Sequence, residues 1–371
     1  MQLHQVPPSR RASSARPTGR FRAAASAGAL VLSLLLGPAL SRALDAGSPS
    51  AEANAHVVEN LYGAKLVDAD HGYAVGAFGA VFRTSDGGRT WQAQEAPTRE
   101  YLFSVDFDSP QSGIAVGKAG AVVTTTDGGA TWTKRDTGTD RNLFSVAFAE
   151  PRHAWAIGDW GTVLESTDGG ATWTNRSLKD DVVLTSQSWP DGKHGFLAGE
   201  FGMVQKTEDG GATWKKLATG TDKTLFGVAF TSAQDGWVVG IDGLVLRSRD
   251  GGENWTLQRG RMGIESLEAL GFMEALRNPS LYDVRFSSGR GYIVGDIGTI
   301  LLSEDGGDTW KETRLASGQN MNWLRGLAVA PGGRALVVGS NGFIAVGQDG
   351  DFRAGAATDV AKARGGESAH P

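Results

Sequence analysis

The sequence predicts an all-β fold, a seven-bladed β-propeller of four-stranded blades with Asp-box turns. Three observations support it: a high glycine content, a box motif that recurs along the chain, and two further motifs that recur in phase with the box. Glycine makes up 53 of the 371 residues, roughly twice the usual share of about 7%. Because glycine adopts positive φ without steric cost, this excess indicates many tight turns between short strands.

The box reads TSDGGRTW where it first occurs, ending at Trp91. It recurs in six recognisable copies whose final residues are Trp91, Trp132, Trp173, Trp214, Trp255 and Trp310, and a degenerate copy ends at Phe352. Most steps are close to 41 residues, except for the longer one between Trp255 and Trp310. A repeat of about 40–45 residues with four strands is typical of a propeller blade.

Two other elements occur seven times each, in the same phase. One is an alternating strand of the type LFSVAF, first seen as LYGAKL at residue 61. The other is a G-x-x-G turn, first seen at Gly76 and Gly79. Each repeat therefore contains an inner strand A, a strand B, a turn, a strand C, the box and a strand D.

The box is predicted to stabilise the blade and not to catalyse a reaction. Its Asp can accept hydrogen bonds from its own loop, Gly-Gly supplies positive φ, and the Trp packs back on the blade. The predicted structural residues are Asp86, Trp91, Asp127, Trp132, Asp168, Trp173, Asp209, Trp214, Asp250, Trp255, Asp305 and Trp310.

These motifs resemble the Asp-box, or BNR-like, propellers. The combination of LFSVAF, WAIG-x-x-G-T-V and S-x-DGG-x-TW resembles the photosystem II stability/assembly factor family over roughly residues 56–350. The resemblance implies a non-catalytic binding or assembly scaffold whose protein partner is a subunit of a membrane-protein complex. The alternative is a carbohydrate-active or sugar-binding propeller of the sialidase-like Asp-box group.

The amino terminus predicts export. Residues 1–43 carry six arginines and no acid, followed by an apolar stretch from Ala23 to Leu40 and small residues around Ala43. This order is typical of a signal peptide, which places the protein in the periplasm or outside the cell; an uncleaved amino terminus would tether it to a membrane. Residues 44–55 are expected to be a linker, 56–355 the propeller, and 356–371 a disordered tail.

Composition limits the choice of ligands. Loss of the signal peptide lowers the basic count from 36 to 30 against 41 acidic residues, which argues against nucleic acid. We expect no metal and no small-molecule cofactor, and a monomer. The chain has no cysteine, so disulfides do not support the fold.

Side chains that differ between repeats predict the binding surface. B–C turns and D–A loops emerge on one face of a propeller, opposite the boxes. The aromatic residues predicted there are Phe78, Tyr101, Trp160, Phe201 and Trp323, and the basic residues are Arg99, Arg141, Lys223 and Arg325. Aromatic and arginine side chains dominate binding hot spots, although packing between turns or simple solvation would also account for them.

Two other groups of residues are candidate sites of chemistry. The turns carry Asp159, Glu200, Asp242 and Asp296, which could form a carboxylate pair for a glycosidase or be ordinary turn residues. His71, His153 and His194 share one repeat position, where turn capping is favoured over a shared metal. The F/Y-R-I-P motif typical of sialidases is missing.

The long step between Trp255 and Trp310 contains an insertion at residues 258–280, between blades 5 and 6. Residues 265–277 follow a helical spacing of apolar residues and are predicted to form a short helix, which Pro279 ends. Such an insertion is either functional or a cover for one blade edge.

Overall fold

The computed structural model describes residues 59–260, 262, 278–313, 315, 322–354 and 356–357. In these residues the strands form seven antiparallel sheets, each built from one repeat in the order A-B-C-D. The predicted fold class is therefore confirmed. The predicted signal peptide, the linker, the helix at 265–277 and residues 358–371 lie outside the described residues.

The strands of the described residues fall into four classes by position in the blade. The A strands are β1 (Leu61–Leu66), β5 (Leu102–Phe107), β9 (Leu143–Glu150), β13 (Leu184–Ser188), β17 (Leu225–Phe230), β21 (Leu281–Ser287) and β25 (Leu324–Val329). The B strands are β2 (Gly72–Gly76), β6 (Gly113–Gly117), β10 (His153–Gly158), β14 (Gly195–Gly199), β18 (Gly236–Gly240), β22 (Arg290–Gly295) and β26 (Arg334–Gly339). The C strands are β3 (Val81–Thr84), β7 (Val122–Thr125), β11 (Val163–Ser166), β15 (Val204–Thr207), β19 (Val245–Ser248), β23 (Ile300–Ser303) and β27 (Ile344–Gln348). The D strands are β4 (Thr90–Gln94), β8 (Thr133–Arg135), β12 (Thr174–Asn175), β16 (Lys215–Leu217), β20 (Thr256–Arg259), β24 (Lys311–Thr313) and β28 (Asp351–Ala354).

Single 3₁₀ turns join strands B and C in six blades. They are Ala77–Gly79, Lys118–Gly120, Asp159–Gly161, Glu200–Gly202, Ile241–Gly243 and Ser340–Gly342. Across the described residues, no helix is both long enough and apolar enough to cross a bilayer.

The ring closes in blade 1, where strands from both ends of the described chain share one sheet. β28 supplies the fourth strand of blade 7, and a last strand, β29 (Ala356–Ala357), then pairs in parallel with β4 of blade 1. The A strands β1 and β25 also pack against each other. Ordered β structure thus extends two residues past the boundary of 355 that the sequence predicted.

Neighbouring blades are joined by packed aromatic groups. Tyr73 of blade 1 stacks on Phe107 of blade 2 at 4.1 Å, and both meet the box residue Trp132 of blade 2 edge-on. The Tyr73 hydroxyl donates to the carbonyl of Gly128, in the same box, at 2.6 Å. Each box Trp therefore fastens its blade to the preceding one as well as folding its own turn.

Side chains on some A strands also accept hydrogen bonds from the next blade. The Val146 amide donates to Ser104 Oγ at 3.2 Å, and the Phe148 amide donates to Asp106 Oδ2 at 2.8 Å. These bonds satisfy backbone amides at the inner edge of the sheet, where β9 has no further strand beside it.

The boxes adopt the predicted geometry. In blade 1, Asp86 Oδ1 accepts the Thr90 amide at 2.9 Å, and Asp86 Oδ2 accepts the Thr90 hydroxyl at 2.6 Å. These bonds lower the pKa of Asp86 to about 2, and the matching threonines Thr131 and Thr213 lower those of Asp127 and Asp209 to about 2.

Burial of the box aromatic residue varies from blade to blade. Trp91 and Trp132 are buried, whereas Trp173, Trp214, Trp255 and Trp310 are half-buried. Phe352 replaces the Trp in blade 7 and is fully buried. The six complete boxes therefore share the same hydrogen bonds between the Asp carboxylate and its own loop, but their aromatic residues bury different apolar areas.

Candidate functional site: the turn face

The B–C turns share one backbone conformation. The second residue of each turn has a positive φ, and the turn ends on a glycine that also has a positive φ. In blade 4 a Cβ at Gly202 would lie 1.8 Å from the Thr221 carbonyl oxygen. The repeated glycines are therefore required by close backbone approach, and the second residue is left free to vary.

Each turn is fixed between the two D–A loops that flank it. In blade 4 the Glu200 amide donates to the Val183 carbonyl at 3.1 Å, and the Gly202 amide donates to the Lys223 carbonyl at 2.8 Å. The boxes instead meet the A–B loops, as the Gly87 amide does with the Asp70 carbonyl. We call the surface of B–C turns and D–A loops the turn face, and the surface of boxes and A–B loops the box face.

Three of the five predicted aromatic residues are exposed on the turn face. Phe78, Trp160 and Phe201 expose 52%, 56% and 61% of their surface. All three are second residues of their turns, with φ of 56°. A bulky residue in this left-handed region is strained by about 1–2 kcal/mol, so neither packing nor backbone preference accounts for an aromatic side chain there.

The other two predicted aromatic residues are half-buried. Tyr62 links them, because its ring stacks on Trp323 at 5.6 Å and on Tyr101 at 6.0 Å. Phe78 then meets Tyr101 edge-on at 5.2 Å. A continuous series of packed rings thus runs from blade 7 across blade 1 to the loop that enters blade 2, with Tyr62 buried and Tyr101 and Trp323 half-buried.

The predicted basic residues differ in their surroundings. Arg99 and Arg141 are exposed, and the Arg141 guanidinium lies 4.7 Å from the centre of the Trp160 ring. Arg325 is half-buried over the ring of Tyr282 at 5.1 Å. Lys223 is different, because its side chain is only 2% exposed and its Nζ pairs with Asp242 Oδ2 at 2.8 Å. Lys223 therefore neutralises a turn acid of its own blade and is not available as a surface cation.

The four turn acids are held in different ways. Asp242 pairs with Lys223, and Asp296 accepts a hydrogen bond from the Tyr282 hydroxyl at 2.9 Å. Asp159 Oδ2 accepts a hydrogen bond from Asn142 Nδ2 at 2.7 Å. Glu200 is buried, and its Oε1 has no hydrogen-bond partner among the described residues.

Burial raises the pKa of Asp159, Glu200 and Asp296. The negative charges of Asp159 and Asp181 add to the rise at Glu200. Blades 3 and 4 thus bring two of the turn acids within electrostatic range of each other.

A feature that the sequence reasoning did not assemble is a ring of side chains at the second position of every A strand. Its members are Tyr62, Phe103, Phe144, Thr185, Phe226, Tyr282 and Arg325. Consecutive members touch: Tyr62 and Phe103 at 5.5 Å, Phe103 and Phe144 at 5.4 Å, and Phe226 and Tyr282 at 5.2 Å. We call it the mouth ring, because it circles the axis where the A strands leave the turn face. The alignment of the seven repeats predicts that these positions are equivalent, and Tyr62 and Tyr282 are buried there.

The repeated histidines lie away from the turn face and pair locally. His71 and His194 contact Asp68 and Asp191 through Nδ1 at 2.9 Å, and His153 Nε2 contacts Glu165 at 3.0 Å. Within the described part of the chain, no group of three or more acidic or histidine side chains is placed to hold a metal ion.

Comparison with known proteins was made for family models, curated proteins and solved structures. The family model described as "Photosynthesis system II assembly factor YCF48" matches residues 48–135, 133–221 and 213–275, which together span more than half of the chain. No curated protein matches.

Several solved structures share the fold. One, titled "YCF48 bound to D1 peptide", is 20% identical, with a TM-score of 0.62 over 78% of this chain and 93% of that one. A YCF48 from Cyanidioschyzon merolae is 19% identical, with a TM-score of 0.60 over 78% of this chain and 95% of that one. An ancestral GH74 enzyme is 14% identical, with a TM-score of 0.61 over 81% of this chain and 46% of that one. On the match to the family model, which agrees with the repeat motifs, the chain belongs to the YCF48 family of photosystem II assembly factors.

Proposed function

We propose that the protein is an exported, non-catalytic assembly factor that binds a polypeptide segment of a membrane-protein subunit on its turn face. The observation that carries the proposal is the group of exposed aromatic residues Phe78, Trp160 and Phe201, all held at positive φ. Strained residues that persist without serving the fold are typical of functional sites.

Membership in the YCF48 family supports a protein partner, and one structural relative carries a D1 peptide according to its title. The packed rings from Trp323 to Phe78 supply large rigid contact areas through their exposed parts. Arg99 is exposed two residues before Tyr101, and the exposed Arg141 lies over the Trp160 ring. Large aromatic groups with arginine at their border are the composition of a binding hot spot.

Site-specific photo-crosslinking tests where the partner binds. A photo-reactive phenylalanine analogue placed at Phe78, Trp160 or Phe201 should crosslink to a membrane-protein subunit when the protein is incubated with solubilised native membranes. The same analogue at the box-face positions Arg89 and Lys215 is the control. Crosslinks that form mainly from the box face would contradict the proposal.

Export rests on the amino-terminal sequence and has its own test. Mass spectrometry of the protein purified from its native cells should find a new amino terminus near Ala43 or Ala53, where small residues allow cleavage. An intact Met1 with the protein in the cytoplasmic fraction would contradict it.

A carbohydrate-active propeller is the second candidate. The observation that favours it is the pair Asp159 and Glu200, whose pKa values are both raised by burial, as a general acid requires. Release of reducing sugar from xyloglucan, abolished by Glu200→Gln, would support this candidate. The absence of both hydrolysis and xyloglucan binding would leave the scaffold function.

A further inference from the structure

Glu200 differs from the turn acids of the next two blades in having no neutralising partner within the part of the chain that the structure describes. Asp242 has the Lys223 ammonium group, and Asp296 has the Tyr282 hydroxyl with the Arg325 charge nearby. Glu200 is 5% exposed, and its one hydrogen bond in the described residues is a long contact of 3.3 Å from the Val183 amide to Oε2. A buried carboxylate oxygen left without a hydrogen-bond donor retains its full desolvation cost.

The charges that act on Glu200 make its buried carboxylate still less favourable. The loop that enters blade 4 lies between the turns of Asp159 and Glu200, because the Gly161 amide donates to the Val182 carbonyl at 2.7 Å and the Glu200 amide donates to the Val183 carbonyl at 3.1 Å. This loop carries the exposed Asp181, and both Asp159 and Asp181 act on Glu200 with the same sign. Arg141 offsets part of the charge of Asp159, but its guanidinium is already stacked on Trp160. Blades 3 and 4 therefore present a negative sector in which Glu200 has no cationic partner among the described residues.

Aromatic rings adjoin this sector. Trp160 follows Asp159 and Phe201 follows Glu200 in the chain, and both rings project from the turn face. Aromatic faces attract cations as carboxylates do, and the effect grows where water is excluded. Arg141 over Trp160 shows that a guanidinium is accommodated on this surface.

We propose that the sector formed by Asp159, Asp181 and Glu200 binds one arginine or lysine side chain of the bound polypeptide, with the Phe201 ring beside it. The cation contacts the exposed carboxylate of Asp181, while the half-buried Asp159 and the buried Glu200 add negative charge beside it. This inference rests on the proposed function, because it names the chemistry of one residue of the segment bound there.

Capped peptides on an array test it. Each peptide is synthesised in four versions that differ at one position, which holds arginine, lysine, citrulline or norleucine. Citrulline keeps the shape of arginine without its charge. The unmodified protein should bind the best arginine and lysine versions at least tenfold more tightly than the citrulline version.

Two variants should reduce that preference to about twofold or less: Glu200→Gln, which keeps the shape of the buried side chain, and Asp181→Asn on the surface. Glu253→Gln on the box face makes the same change in net charge and should leave the preference intact. Thermal melts confirm that each variant is folded, and Glu200→Gln should melt no lower than the unmodified protein because it removes a buried charge.

The outcomes separate this inference from the proposed function. Peptides that bind equally well with arginine and with citrulline overturn the cation site and leave peptide binding in place. A preference that survives both Glu200→Gln and Asp181→Asn also overturns the site, whatever the result for Glu253→Gln, and so does an equal loss in all three variants. If no peptide binds at all, the proposed function fails, and the cation site fails with it.

Discussion

The two faces of the propeller use the same repeat for opposite purposes. On the box face the side chains repeat: the Asp carboxylate of every complete box accepts the same backbone bond, as Asp86 does from Thr90 and Asp305 does from Thr309. On the turn face the backbone repeats while the residue at positive φ changes from Phe78 to Ala119, Trp160, Phe201, Asp242, Ile297 and Asn341. Uniform side chains therefore mark the part that folds the ring, and a uniform backbone with changing side chains marks the part that is free to bind.

The largest expected effect concerns tryptophans on the two faces. Trp91→Ala should lower the free energy of unfolding by about 3–5 kcal/mol, because it empties a fully buried site. Trp160→Ala should lower it by less than about 1 kcal/mol, because that ring is mostly exposed. Chemical denaturation of both variants measures the difference, and equal losses would contradict the division between the faces. Trp173 is a poorer probe than Trp91 because it is half-buried.

Acid should affect the two faces with opposite signs. The pKa values of Asp86, Asp127 and Asp209 are lowered to about 2 from an ordinary value of 3.8. Their contribution to stability is present above about pH 4 and is lost as the pH falls toward 2. Asp159 and Glu200 have raised pKa values, so protonation relieves their burial cost at a higher pH.

Melting temperatures measured from pH 7 to pH 2 test this expectation. The triple variant Asp86→Asn, Asp127→Asn, Asp209→Asn should melt lower at pH 7 and show a shallower loss below pH 4. Glu200→Gln should instead reduce the change in melting temperature that occurs above pH 4. If the melting temperature of the triple variant depended on pH in the same way as that of the unmodified protein, the box carboxylates would not be the cause of the acid destabilisation.

Binding should depend on the turn face alone. Trp160→Ala combined with Arg141→Ala should weaken partner binding at least tenfold, about 1.4 kcal/mol, while the melting temperature stays nearly constant. The control is Arg89→Ala with Lys215→Ala, two exposed residues of the box face. The partner subunit that the crosslinking experiment identifies is titrated against both double variants. Equal weakening of binding in the two would contradict a binding site on the turn face.

The smallest expected effect is a gain in stability. Phe201→Gly should raise the free energy of unfolding by up to about 1 kcal/mol, because glycine removes the strain of a positive φ. The next residue gives the matched control, since Gly202→Ala would place a Cβ 1.8 Å from the Thr221 carbonyl oxygen and must destabilise the blade. A loss of stability in Phe201→Gly would mean that the ring serves the fold.

The architecture could be predicted from the sequence because the seven repeats can be aligned with one another. Seven copies of one pattern specify the strand order, the turn positions and the two faces, and all of these follow from period and turn chemistry. The residues that escaped prediction are those whose environment depends on contacts between loops that the repeat pattern does not specify. Lys223 was expected on the surface and instead pairs with Asp242, which lies 19 positions further along the chain.

The mouth ring and the buried Glu200 escaped for the same reason. Their contacts join blades, as Tyr62 does with Trp323 across the closure of the ring. Burial at equivalent positions also differed, since Trp91 and Trp173 occupy one slot of the repeat but bury different areas. A repeat pattern gives the average blade, whereas binding chemistry depends on the departures from it.

The pairing of β29 with β4 has a consequence for the order in which the protein is made. Residues 356–357 are synthesised after all seven blades, yet they pair with the outer strand of the first blade. Chains fold from the amino terminus as they emerge, so six blades can form while blade 1 still lacks the neighbour on its open side. During that interval the apolar surfaces of β1 and β2 that meet β25 and β26 in the finished ring are uncovered. We therefore expect the nascent chain to need protection from aggregation until residues 324–357 have been synthesised and have packed against blade 1.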